Sequence, residues 1–135
     1  MKKAVLAIGN PMLGDDSVGI LVLKELRGVD ADLVDFGWGT DISLIRRYEK
    51  VAIVDAGFFG GKPGDFREFG LEELDSDQMP STHGVNIVFL LKKFGNPVKN
   101  IRFFLVQPEN NKKLSNPVKK SIPLVARIIR KYLEE

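Results

Sequence analysis

The chain has 135 residues, with 20 Lys and Arg against 18 Asp and Glu, for a net charge of +2. That length suits one domain (residues 1–135) with a sheet covered on both faces, and the near balance of charge excludes a nucleic-acid stripe or a membrane-surface helix. Cysteine is absent and histidine occurs once, at His83, which excludes disulfides, thiolate ligands, a Cys nucleophile and two-histidine zinc motifs.

The opening apolar run is too short for a signal peptide or a membrane span, so a cytoplasmic protein is expected. Residues 4–8 read as a strand, followed by a Gly/Pro turn and then by Asp15 and Asp16 at the start of a helix. Many α/β proteins hold a phosphate at this point on a glycine-rich loop. Two carboxylates repel phosphate; they suit a metal cation or a peptide amine. Val18, Leu21, Val22 and Leu26 recur at helical spacing, with Gly28 as a stop. Residues 32–36 read as a second strand, and residues 41–48 as a short helix turning Ile42, Leu44 and Ile45 inward.

The continuous run at residues 51–54 has the signature of a buried parallel strand, and it ends at Asp55. A loop with several turn signals follows at residues 58–64, then an extra strand at 65–69 and an acidic loop or single helical turn at 71–79. Ile87, Leu90, Leu91 and Phe94 predict a helix starting at Gly84 and capped by Gly95, and residues 101–106 another buried strand. The last helix has an inward stripe of Val125, Ile128, Ile129 and Tyr132. Its start is read as an Asn116 cap with Pro117 first in the helix, and Pro123 predicts a kink or a late start.

Strands alternating with helices predict an α/β fold: a single-domain, three-layer α/β/α sandwich around a mainly parallel, twisted sheet of about five strands. Ligands in such folds bind beyond the carboxyl ends of the strands, where strand order reverses. With the first and third strands side by side at that reversal, Asp16 and Asp55 come to one cleft. An Asp at a helix start ordinarily caps it, and one suffices, so two in succession point to a functional role for one of the pair. A carboxylate closing a buried apolar run is costly unless it is paired or ligating, which singles out Asp55. His83, in a Ser/Thr-rich turn before a helix, is ordinarily a loop histidine; two acids and an imidazole together would suit a borderline divalent ion. Trp38, Phe58 and Phe59 lie on loops at the same end and would wall a peptide groove. The basic residues from Lys112 to Lys131 read as a solvated face.

These motifs in this order resemble the hydrogenase maturation proteases, which trim the large subunit of [NiFe]-hydrogenases. The resemblance is carried by Gly9-Asn10 through Asp15-Asp16 and Gly19, by Gly39-Thr40, and by Val54-Asp55-Ala56 with residues 61–64. It continues in Ser81 and His83, in Val106-Gln107-Pro108 and in Leu114-Ser115. It implies a phosphorylase/hydrolase-like fold and a metal-binding triad on Asp16, Asp55 and His83, with Asp16 where the family commonly has Glu, and it leaves Asp15 as the helix cap. The family's Asp-Gly-Gly-Thr stretch is only partly kept in residues 36–40, which is more similar to the subgroup serving coenzyme F420-reducing hydrogenases. The implied substrate is a nickel-loaded large-subunit precursor whose C-terminal extension is removed. The nickel ion arrives on that precursor, and other divalent cations could take its place.

The chemical step stays open between metal-assisted hydrolysis and an aspartic-type route in which Asp16 or Asp55 activates water. Two other readings stand beside the protease. One is a non-catalytic nickel-sensing assembly chaperone; the other is a peptidyl-tRNA hydrolase-like enzyme, which would need a histidine–asparagine pair absent here.

Overall fold

The computed structural model describes residues 2–10, 12, 14–37, 43–75, 81–82, 85–95, 100–109 and 112–135. Its elements run β1 (Lys3–Ile8), a 3₁₀ turn (Gly14–Ser17), α1 (Val18–Glu25), β2 (Asp32–Gly37) and a 3₁₀ turn (Ile45–Arg47). They continue with β3 (Lys50–Phe58), β4 (Phe66–Gly70), a 3₁₀ turn (Glu72–Asp75), β5 (Ser81–Thr82), α2 (Val85–Phe94), β6 (Asn100–Val106) and α3 (Asn116–Glu134). The sheet order is β2-β1-β3-β6-β4, with β5 paired to β3 off that path. β1 is parallel to β2 and to β3, and β3 is parallel to β6, so these four strands end on one edge. β4 closes the other side as an antiparallel edge.

Alternation along the strands divides the core into two layers. Val5, Ala7, Ala52, Val54, Phe104 and Val106 pack with Val18 and Val22 of α1 and with Val118, Val125 and Ile129 of α3. Leu6, Ile8, Val51, Ile53 and Phe103 pack on the opposite face with Ile45, Val88 and Leu91. Each large side chain so buried contributes about 1.5–3 kcal/mol. This is the expected three-layer sandwich, with the first and third strands adjacent as the topology required.

Several local expectations change. β3 does not end at Asp55; it runs on to Phe58, because β6 pairs with it as far as Ala56 and β5 takes up Gly57 and Phe58. That two-residue β5 was read as loop. The helix expected at 41–48 is a single 3₁₀ turn, Ile45–Arg47, with Ile45 buried; Asp41 and Ile42 lie outside the described residues. α2 starts at Val85, and Gly95 after it adopts a positive φ of 84°, the left-handed geometry of a helix stop.

The cap of α3 is Ser115, not Asn116, and the helix runs without interruption through Pro123. Pro123 is exposed, so the carbonyl left without its helical donor is on the solvent side. Ile128 in the expected stripe is only partly buried, and Val118, Ile122 and Leu133 share the inward work.

Candidate active site

The carboxyl ends of β1, β3 and β6 meet where strand order reverses between β1 and β3. β1 last pairs with β3 at Ala7 and Val54. One residue further, Asp55 is 0% exposed and shares a strand face with Ile53, on the α2 side of the sheet. Such a carboxylate is stable only with polar partners.

The chain leaves β1 through Gly9, whose φ is +126° and whose amide donates to the Gly37 carbonyl at 3.1 Å. A Cβ built on Gly9 would stand 2.4 Å from the backbone carbonyl oxygen of Asp16 and 3.6 Å from Asp55 Oδ1. The turn carrying Asp16 and the Asp55 carboxylate thus converge on a point that only glycine leaves free. Asp16 itself is partly exposed, and its neighbour Asp15 is fully buried.

That burial corrects the role of Asp15. The cap position of α1 is Ser17, whose hydroxyl donates to the Gly14 carbonyl at 2.6 Å, and the Asp15 carboxylate turns away to the connection between β6 and α3. It accepts from the Glu109 amide at 2.7 Å, the Ser115 amide at 2.7 Å and the Ser115 hydroxyl at 2.8 Å. Asp15 therefore pins the turn that presents Asp16 to a segment about a hundred residues later in sequence. Periodicity could not reveal this, since the partners are brought in by the sheet.

Past Asp55, β3 ends at Phe58 and the loop after it begins with Phe59. Phe58 is 55% exposed, whereas the Phe59 ring is held edge-on to Phe69 at 6.2 Å and lies under the Arg67 guanidinium at 5.1 Å. Of the three aromatics expected to wall a groove, Trp38 lies outside the described residues, and of the other two Phe58 is the one with a half-free face. Gln107, directly after β6, is buried and accepts from the amides of Phe59 at 3.0 Å and Gly61 at 3.3 Å. It was singled out in the sequence without a role. The available signal was its place, a polar residue at the carboxyl end of a buried parallel strand.

His83 and Trp38 lie outside the described residues. The residue before His83, Thr82, pairs with Gly57 of β3, two positions beyond Asp55. Among the described residues, no three His, Asp or Glu side chains are grouped closely enough to hold a metal ion.

A model of the hydrogenase maturation proteases matches residues 24–132. The chain belongs to this family. It is a peptidase of the hydrogenase-maturing class, and Asp55 and His83 fall inside the matched segment while Asp16 precedes it. The hydrogenase 3 maturation protease of Escherichia coli K12 is 28% identical over 116 residues, covering 81% of this chain and 74% of its own. The [NiFe] hydrogenase maturation protease HycI from Thermococcus kodakarensis superimposes with a TM-score of 0.77 at 26% identity, covering 99% of this chain and 93% of its own. The E. coli hydrogenase-maturating endopeptidase HybD, at 20% identity, shares the fold with a TM-score of 0.78, covering 99% of this chain and 93% of its own.

Proposed function

We propose that this protease removes the C-terminal extension of a [NiFe]-hydrogenase large-subunit precursor after nickel has been inserted. The observation that carries the reading is the convergence at Gly9, where the Asp16 backbone and the Asp55 carboxylate both lie within 4 Å of one point. With His83 as the third donor, two carboxylates and an imidazole meet the nickel ion that the precursor already holds through its own thiolates. An enzyme without cysteine leaves those thiolates to the substrate. The metal serves here as cargo and as the sign that the substrate is ready.

Asp16 and Asp55 also carry the hydrolytic step in this proposal. Whether water is activated by a carboxylate or at the metal, both groups must be ionised and must face the scissile peptide. Phe58 supplies apolar surface for the peptide leading into the cut, with Phe59 next to it in sequence and Trp38 as a further wall in the same proposal. Among the described residues no helix is long and apolar enough to cross a membrane, and a cytoplasmic site of action is part of the same proposal. The partial Asp-Gly-Gly-Thr stretch supports a coenzyme F420-reducing hydrogenase as the enzyme served.

Co-expression with the cognate precursor, followed by intact-mass measurement, tests the reading. The wild type converts a nickel-loaded precursor to the shortened form, and Asp16→Ala, Asp55→Ala and His83→Ala leave it full length while staying folded. A precursor that keeps its full mass with nickel supplied and wild-type protein present refutes the protease assignment in favour of a chaperone. Normal cleavage by all three variants refutes the site.

A further inference from the structure

Gln107 makes an unusual number of bonds to one loop. Its side-chain oxygen accepts from the amides of Phe59 at 3.0 Å and Gly61 at 3.3 Å, its backbone oxygen accepts from Gly64 at 2.9 Å, and its amide donates to the Asp65 carbonyl at 2.8 Å. The side chain is only 7% exposed, so those two side-chain bonds are shielded from competing water. The loop needs such restraint. Gly60 and Gly64 both hold positive φ, at 82° and 89°, and a glycine-rich segment loses more conformational entropy on ordering than any other.

The consequence falls on Phe58. Its register is set on one side by pairing with Ser81 of β5. On its other side, the Phe58–Phe59 peptide plane is fixed by the bond from the Phe59 amide to Gln107. The Phe59 ring, packed on Phe69 and Arg67, holds the next residue in place. Phe58 is thus an aromatic side chain on an immobilised backbone with 55% of its surface exposed, beside the carboxyl end of the strand that carries Asp55. A ring presented this way binds an apolar peptide segment with little further ordering cost.

We propose that Gln107 is a positioning residue that sets the Phe58 wall of the substrate groove and thereby governs how tightly the precursor is held. This rests on the functional reading above, in which the precursor peptide lies at this edge of the sheet. Gln107 is placed to act through the loop, with no part in the hydrolytic step, so its signature is in substrate affinity.

The test compares wild type, Gln107→Met, Gln107→Glu and Phe58→Ala for binding to purified nickel-loaded precursor and for kcat and KM of its cleavage. Met keeps the length but offers no comparable acceptor; Glu keeps oxygens facing the two amides. Gln107→Met and Phe58→Ala weaken precursor binding about tenfold and raise KM by the same factor, with the smaller change in kcat. Gln107→Glu binds within about threefold of wild type. Wild-type affinity in Gln107→Met, or a Glu variant no better than Met, overturns the proposal. Should Gln107→Met fail to fold, wild-type affinity in Phe58→Ala overturns it equally, and weakened binding there with recovery in Gln107→Glu upholds it. A wild type that binds the precursor without cutting it refutes the protease substrate assignment, while the affinity ratios still decide the role of Gln107. A wild type that does not bind refutes both.

Discussion

Gly9→Ala probes the convergence at the centre of the candidate site. The new methyl would stand 2.4 Å from the Asp16 carbonyl oxygen, nearer than any real Cβ contact, and the obstacle is backbone that cannot rotate away. At φ +126° the residue also occupies a region essentially restricted to glycine. The backbone strain costs on the order of 1–3 kcal/mol, and forcing the neighbouring turn aside adds about as much. Alanine narrows the unfolded ensemble, which offsets less than about 1 kcal/mol. The net loss is about 3 kcal/mol, or roughly 11 °C in Tm for a domain of this size.

Urea unfolding followed by circular dichroism measures that loss, and cleavage of the precursor at low temperature, where the variant is still folded, measures the geometry. Relief of the clash must move the Asp16 turn away from residue 9, since Asp55 Oδ1 at 3.6 Å is only in ordinary contact, so the folded variant also loses processing. A Gly9→Ala protein within about 1 kcal/mol of wild type that processes normally would refute the close approach of these elements.

Two further outcomes follow from buried polar groups. Asp15→Asn keeps the shape but puts an amide NH₂ against at least one of three donors; the loss of charge-assisted bonds lowers stability by about 2–4 kcal/mol in urea unfolding, and an unchanged midpoint would show that the β6–α3 connection does not depend on it. Burial pushes the Tyr132 hydroxyl up to about 12, against the lowering effect of Arg102, so the native state favours the neutral phenol. The stability this confers is fully present below about pH 10 and is lost as pH rises through 12, at most roughly 3 kcal/mol. Tyr132→Phe, which retains the ring packed 5.6 Å from Phe104, removes that component, and parallel stability curves for the two proteins between pH 9 and about 12.5 would refute it.

The layers of the fold are legible in the chain because burial imposes a period. Continuous apolar runs mark β1, β3 and β6, and the helical stripe of α3 is visible despite Pro123. Asp55 stands out for the same reason, as a charge in a run that otherwise excludes water. The misreadings cluster where the deciding partner is distant. Asp15 looked like a helix cap because the residues that bind it, Glu109 and Ser115, arrive from the other end of the sequence. β3 looked three residues shorter at its carboxyl end because its extension past Asp55 exists only in pairing with β5 and β6.

Sequence by itself therefore determined the class of fold and brought Asp16 and Asp55 forward as candidates at the carboxyl edge of the sheet, since strand pattern and the handedness of crossovers place both there. The tertiary structure alone decided how those acids are held. Gly9 is required by two groups that approach it from different elements, Asp15 is bound to the connection before α3, and Gln107 ties down the loop behind Phe58. Hydrogen bonds between residues far apart in sequence leave no periodic trace. Their partners become neighbours only when the sheet has brought the strand ends together.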